Sequence, residues 1–351
     1  MKKYFYTPIF AFLLCVSLQL VNLSSASAQG CVAVRQMGGV NTMYSSKSTY
    51  TLPKGEFQVG AGYRYFHSWR HFVGTAEKPF RQTTQGGFDA NGNEKGNAVN
   101  IYSSSLDLNF SYGLTDRIQF NVSVPYVHNE RSQVLATKTG GKIIIDGEER
   151  TQTMQGIRYS VYAQGIGDVR LSTNYWIFDP NTSHKGNLMV GMGVKLNTGS
   201  TTRTDDALSL DQNKAVIQTN VMMDQAIQPG DGGVGVSIEL QGFRQLIGGF
   251  YGFANGYYLF NPRESNGSFK SAPSKGLEGY NVYASPDQYF ARAGVMTSVG
   301  KAKNLTLSLA GRLEGIPAYD AFGGQVAYRR PGYVVAIESG ISYSAGKHSI
   351  S

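Results

Sequence analysis

The stretch IQFNVSVPY, residues 118–126, decides the fold of this chain. Its apolar residues occupy every second position, at Ile118, Phe120, Val122, Val124 and Tyr126. A β-strand turns successive side chains to opposite faces, so this alternation predicts a strand with one apolar and one polar surface. One such strand fits any half-buried sheet, and the rest of the chain decides which kind of sheet it is.

The same alternation recurs in segments of roughly ten residues, which short turns and long polar loops connect in strict alternation. The long loops are predicted at residues 67–99, 128–164, 197–232, 261–287 and 315–331. This order predicts an all-β chain forming a transmembrane antiparallel up-and-down β-barrel of about 10–12 strands, with its apolar face toward lipid and its polar face lining the lumen. Residues 347–351 look like the opening of a further strand. Either the barrel lacks its last strand or this end pairs unusually, and we favour the first reading.

The N-terminal residues carry the features of an export signal. Lys2 and Lys3 precede an apolar run over residues 9–23, and small residues follow at 26–28. This order is typical of a cleaved secretory signal peptide. The predicted division is therefore a signal peptide over residues 1–28, an N-terminal periplasmic lead over 29–54 and an outer-membrane β-barrel over 55–351.

The composition excludes most soluble classes of protein. Charged residues are 16 % of the chain, against about 25 % in soluble proteins, and Gly, Tyr and Phe number 43, 22 and 18. The net charge of +8 does not indicate a nucleic-acid partner, because Lys and Arg are scattered. We expect outer-membrane lipid and lipopolysaccharide as partners instead. Aromatic residues near predicted strand ends are expected at the membrane interface: Trp69, Trp176, Tyr112, Tyr126, Tyr175, Tyr258 and Phe260.

Few residues indicate chemistry. Loss of the signal would remove Cys15 and leave Cys31, which is either a lipid-modified N-terminus or a lone thiol, and the residues before it favour the thiol. His67 and His71 lie four residues apart with Ser68 adjacent, a pattern that a Ser/His hydrolase or a metal pair could use. No third ligand or orienting residue is visible, so we predict no enzyme, no catalytic residue, no metal and no cofactor.

Alternation places a set of mostly charged residues on the inward face of the predicted barrel. These lumen-lining candidates for solute selectivity are Arg64, Asp107, Asn109, Arg170, Lys195, Glu239, Arg292, Arg312, Glu314 and Glu338. Pores discriminate between solutes by diameter, by hydrogen-bonding groups and by charge, so such residues can set selectivity. The alternative is that these charges pair with one another and fill a narrow barrel.

Three stretches resemble a known family. They are residues 111–117 with their continuation 122–126, residues 165–171, and residues 195–200, where Asn197 stands at a position at which Pro is commoner. They are similar to segments of the outer-membrane transporters named after the meta-pathway of phenol degradation. The resemblance implies an outer-membrane barrel of a Gram-negative bacterium, and it supplies no catalytic residue.

The leading expectation for function is a monomeric channel or transporter for passive passage of small molecules. The family resemblance implies hydrophobic or aromatic solutes. Two alternatives stay open, namely a structural or surface-interaction barrel with a closed lumen, and a membrane-embedded hydrolase. Substitution of lumenal Arg170 or Arg312 would alter selectivity in a channel, whereas His67→Ala would abolish activity only in a hydrolase.

Overall fold

A computed structural model describes residues 52–69, 72–73, 76–77, 99–145, 148–268, 282–300, 304–323, 327 and 329–351. Within these ranges the regular secondary structure consists of sixteen β-strands. None of these residues forms a helix of the length and hydropathy needed to cross a membrane. The predicted signal peptide and nearly all of the predicted lead lie outside the described residues.

The strand bounds follow the alternation seen in the sequence. In chain order the strands are β1 Phe57–Ser68, β2 Phe72–Val73, β3 Ala76–Glu77, β4 Asn100–Gly113, β5 Ile118–Ile145, β6 Glu148–Ile166, β7 Arg170–Trp176, β8 Gly186–Lys195, β9 Thr204–Leu210, β10 Val216–Met222, β11 Gly235–Gln245, β12 Phe250–Phe260, β13 Gln288–Val299, β14 Leu305–Ile316, β15 Gly332–Ala345 and β16 His348–Ile350. The strand expected near the C-terminus is thus present as β16, paired with β15.

Twelve of these strands form one antiparallel sheet in the order β1-β4-β5-β7-β8-β11-β12-β13-β14-β15-β16, with β6 paired to β5. β7 pairs with β5 from Ile118 to Ser123, and β6 pairs with β5 from Tyr126 onward, so β6 and β7 act as one interrupted strand. Strands adjacent in sequence are therefore adjacent in the sheet. The prediction of an all-β, antiparallel, up-and-down fold is confirmed.

The faces of this sheet are the reverse of those in a soluble protein. On β11 the side chains of Ser237 and Glu239 are buried, at 0 % and 3 % exposure. Their neighbours Ile238 and Leu240 are 49 % and 53 % exposed. A large exposed apolar surface marks contact with a membrane or a partner, and an outward apolar band over a polar interior is the pattern of a membrane barrel.

The polar face is concave. Arg170 on β7 contacts Glu239 on β11 although β8 lies between them, and Arg292 on β13 contacts Glu338 on β15 although β14 lies between them. Contacts between strands two apart require a sheet that curls toward its polar side. Among the described residues, β1 and β16 stand at the two ends of the strand order and are not paired with each other.

The connections define two ends of the sheet. Five short connections, β4–β5, β7–β8, β11–β12, β13–β14 and β15–β16, lie at one edge, which we name the turn end. The longer connections lie at the opposite edge, which we name the mouth end. In outer-membrane barrels short turns face the periplasm and long loops face outside.

Two predicted loops are wrong in part. Residues 128–164 form a hairpin, because β5 runs on to Ile145 and pairs with β6 over most of its length. The missed signal is Asp146-Gly147, a dipeptide typical of two-residue hairpin turns, although these two residues themselves lie outside the described ranges. Residues 197–232 likewise contain the hairpin β9–β10.

Candidate functional site in the sheet interior

The ten predicted lumen-lining residues all lie on the concave side of the sheet. Five of them are buried, namely Arg170, Lys195, Glu239, Arg292 and Glu314. The other five, Arg64, Asp107, Asn109, Arg312 and Glu338, are half-buried. The inward placement follows from strand alternation, whereas a role for these residues in selectivity stays a prediction.

An ion pair spans β8 near the mouth end. The Nη2 atom of Arg170 donates to Glu239 Oε1 at 2.7 Å and to Ser237 Oγ at 2.8 Å. The guanidinium of Arg170 also lies 4.6 Å from the ring centroid of Tyr257. Gly193 on β8 leaves the necessary gap, because a Cβ there would lie 2.6 Å from Ser237 Oγ and 3.1 Å from Glu239 Oε1.

A second group of charges bridges β13, β14 and β15. The Nη1 atom of Arg292 donates to Glu338 Oε1 at 2.6 Å, and its Nε lies 3.3 Å from Asn255 Oδ1. Arg312 lies 3.8 Å from Glu338 and 3.9 Å from Glu314. We name these residues together with Arg170 and Glu239 the charged belt: Arg170, Glu239, Arg292, Arg312, Glu314 and Glu338.

The predicted inward residues of β1 and β4 lie farther from this belt along the sheet. Arg64 is paired in register with Ser105, and Asp107 with Gly62. The Nδ2 atom of Asn109 donates to the carbonyl oxygen of Asp107 at 3.2 Å. These side chains line the same concave surface at the sheet edge.

An apolar cluster fills the interior near the turn end. Its members are Trp176, Met189, Phe243, Phe253, Met296 and Ala310. Trp176 meets Phe243 edge to face at 6.1 Å between ring centroids. The interface position predicted for Trp176 is therefore wrong, since this residue is 1 % exposed. Strand alternation predicts the correct side: Trp176 lies six positions after inward-facing Arg170 on the same strand, and residues an even number of positions apart share one face.

Lys195 takes part in a buried charge cluster at the mouth end. Its Nζ atom binds Asp231, lies 3.4 Å from Asp168 Oδ2 and donates to the carbonyl oxygen of Gly233 at 2.6 Å. Asp168 and Asp231 belong to connections between strands, where alternation makes no prediction, so neither residue was a sequence candidate.

Residues 223–234, which we name the mouth segment, lie at the mouth end, and all of them except Asp224, Ala226 and Val234 are buried. Ile227 and Gln228 are fully buried. Asp224 binds Arg131 on β5 at 2.8 Å and receives two bonds from Arg330, at 3.0 and 2.9 Å. Burial favours the neutral acid, but the guanidinium groups of Arg330 and Arg131 hold the pKa of Asp224 well below its usual range.

A small cavity, open to neighbouring space, lies between the mouth segment and the belt. Pro229 and Asp231 of the mouth segment line one side of it, and Arg170 and Tyr257 line another. Its walls combine charged, aromatic and aliphatic groups.

The residues considered for hydrolase chemistry do not form a catalytic arrangement in the described part of the chain. The Nε2 atom of His67 lies 3.0 Å from Asn100 Oδ1, and its ring stacks on Tyr102 and makes a tilted contact with Trp69. His71 lies outside the described residues. The described ranges hold no group of three or more His, Cys, Asp or Glu residues that could bind a metal.

The sequence matches no protein-family model and no curated protein. Two solved structures show a loose likeness. An outer membrane channel from Pseudomonas putida F1 is 14 % identical, with 86 % of this chain and 85 % of that chain covered and a TM-score of 0.46. A FadL homologue from Pseudomonas aeruginosa is 10 % identical, with 81 % and 72 % covered and a TM-score of 0.34. At these TM-scores the likeness is too weak to assign a function. The resemblance to the phenol meta-pathway family stays a prediction.

Proposed function

We propose that the chain is an outer-membrane β-barrel channel or transporter of a Gram-negative bacterium, through which small molecules pass passively. The observation that carries the proposal is the inverted sheet, whose exposed face is apolar and whose concave face is polar. The outer face suits the acyl chains of outer-membrane lipid and lipopolysaccharide, and the inner face suits a path for solutes. In this proposal the protein acts as a monomer and catalyses no reaction.

Unpartnered polar atoms on the concave face support a path that holds water or solute. Asn174 Oδ1, Asn255 Nδ2 and Glu314 Oε2 are buried and have no hydrogen-bond partner among the described residues. A buried polar atom without a partner is costly unless water or a ligand binds it. Such atoms are unexpected in a sealed interior.

The proposed solutes are small molecules, with hydrophobic or aromatic ones as the class to test first. The cavity lining includes the aromatic ring of Tyr257 and the aliphatic side chain of Leu259, which are groups that such molecules would contact. Arg170 and Arg292 are each bound to a carboxylate, so the belt offers little uncompensated charge. We therefore expect weak selectivity between anions and cations.

The alternative is a structural or surface-interaction barrel with a closed lumen. The buried mouth segment favours it, because this segment occupies space that a permanently open pore would leave to solvent. The ion pairs of the belt also fit an interior that its own side chains fill.

Current through single molecules in a planar bilayer separates the two candidates. The comparison is between wild type and Arg312→Ala, since the side chain of Arg312 is 24 % exposed and borders two carboxylates of the belt. Arg244→Ala is the matched control, because Arg244 lies on the exposed face of β11. Uptake of a neutral aromatic solute by vesicles is measured in parallel.

Current steps that shift toward cation selectivity in Arg312→Ala, but not in Arg244→Ala, would support a channel lined by the belt. Solute uptake without current would support a path for uncharged molecules. Neither current nor uptake from folded protein would overturn the channel proposal in favour of the closed barrel.

A further inference from the structure

We propose that the mouth segment, residues 223–234, is a movable gate, and that the buried ion pair between Lys195 and Asp231 is the latch that holds it shut. Movement of the segment is independent of what the protein transports. Its effect on passage of solutes rests on the channel function proposed above.

The mouth segment lies where it would obstruct a path from outside to the cavity. Pro229 and Asp231 form the mouth-side wall of the cavity that Arg170 and Tyr257 line below. Ile227 packs with Ile101, Val161, Ala163 and Met223 in a buried apolar cluster at the same end. A solute passing from the mouth end to this cavity therefore meets the segment.

Two separate stretches of the barrel wall form a cradle for the segment. Asp168, after β6, accepts the amide of Gly199 at 2.9 Å and the amide of Asp231 at 3.1 Å. Thr198, after β8, donates to the carbonyl oxygen of Gly167 at 2.8 Å. These residues belong to the stretches 165–171 and 195–200 that carry the family resemblance, so both stretches have a common structural task.

The backbones of the cradle and of the mouth segment lie very close together. A Cβ on Gly199 would lie 2.6 Å from the Cα of Gly230 in the mouth segment. The amide of Gly230 donates to the carbonyl oxygen of Ser200 at 3.0 Å. The fit between cradle and segment is therefore specific, as expected of a surface shaped to receive it.

Side-chain contacts and apolar packing, rather than a strand ladder, hold the segment. Lys195 binds Asp231 near one end, and Arg131 and Arg330 bind Asp224 near the other. Between them Gln228 exchanges two hydrogen bonds with the backbone of Arg203, at 2.9 and 3.0 Å, and Ile227 packs in the apolar cluster. A segment held in this way can open without unpairing the wall.

The test measures access to the buried face of the segment. Ile227→Cys is introduced into the full chain with Cys15 and Cys31 replaced by Ser, and the purified protein is kept in detergent micelles. A maleimide carrying a long polyethylene glycol chain labels the thiol, and a gel shift gives the rate. Ala226→Cys is a second reporter in the same segment that removes almost no packing.

The latch is then weakened by Asp231→Asn or, separately, by Lys195→Met. Asp206→Asn is the control, because Asp206 is an exposed carboxylate of the same long connection that binds Asn220 instead of the mouth segment. We expect labelling of either reporter to accelerate about tenfold or more in the latch variants and to stay unchanged in the control.

Equal labelling rates in wild type and both latch variants, all folded, would overturn the gate. An equal acceleration in Asp206→Asn would also overturn it, because the whole connection would then be loose. Solute uptake by vesicles separates this proposal from the channel function. If labelling accelerates while no variant takes up solute, the gate stands and the channel function fails.

Discussion

The charged belt and the mouth segment are both buried and both rich in ion pairs, yet they are built in different ways. Belt residues stand on paired strands, whose register fixes where each side chain points. Residues 223–234 lack regular secondary structure, and side-chain contacts, a few backbone hydrogen bonds and the packing of Ile227 hold them. In the belt, therefore, the paired strands determine where the charged side chains lie, whereas at the mouth the ion pairs determine where the backbone lies.

This difference predicts that loss of an ion pair has different consequences in the two regions. Loss of an ion pair in the belt leaves an uncompensated charge inside an intact wall and lowers the stability of the whole sheet. Loss of an ion pair at the mouth releases a local segment and leaves the sheet in place. The three predictions below test the comparison, from the largest expected effect to the smallest.

The largest effect is expected from Gly193→Val. The new side chain would occupy the gap through which Arg170 reaches Ser237 and Glu239. We expect a loss of about 3–5 kcal/mol in the free energy of unfolding, the range typical of breaking a buried ion pair. Urea unfolding in micelles measures it. Gly60→Val is the matched control, since a Cβ at Gly60 meets nothing within 4 Å, and a similar loss there would contradict the explanation.

A smaller effect is expected from the belt ion pair itself. Arg170→Met leaves Glu239 buried without its cation, and we expect a loss of about 3 kcal/mol in the free energy of unfolding. The double variant Arg170→Met with Glu239→Gln removes both charges, so it should recover at least about 1 kcal/mol of that loss. Urea unfolding of the two single variants and the double variant gives the coupling. Additive losses would show that the two groups do not depend on each other.

The smallest effect concerns pH at the mouth. The pKa of Asp224 is lowered in the folded protein, so its stabilising contribution is fully present above the unfolded pKa of about 4. It is lost only as pH falls through the lower folded value. Amide hydrogen exchange of Ala226 and Ile227, whose amides donate to Asp224, corrected for intrinsic rates, should show constant protection from pH 7 to about 4.

The matched variant is Asp224→Asn, which removes the charge at every pH. Its mouth segment should exchange faster by a factor equivalent to about 1–3 kcal/mol, while amides of β11 and β12 keep the protection of wild type. Loss of wild-type protection between pH 7 and 5 would show that another group controls the segment.

The sequence predicts the wall well, because strand alternation alone decides which side a residue faces. It placed Glu239 and Arg292 inward correctly, with no knowledge of their partners. The same rule places Trp176 inside, as the structure shows, whereas the general preference of tryptophan for membrane interfaces predicts an exposed position. On this strand the geometric rule is the better guide.

The mouth could not be predicted in the same way. Asp168, Asp224 and Asp231 lie in connections that have no fixed period, so nothing in the sequence assigns them a direction. Their partners Lys195, Arg131 and Arg330 are as far as 106 positions away in the chain.

The β5–β6 hairpin determines the outline of the protein. Beyond Ser132, β5 pairs with β6 alone as far as Ile145. At about 3.3 Å per residue, these residues form a ribbon roughly 40 Å long, which exceeds the height of the apolar band of a typical barrel, about 25 Å. In the outer-membrane location proposed above, this ribbon would project beyond the lipid on the outer side, within reach of a bulky particle such as an antibody or a phage.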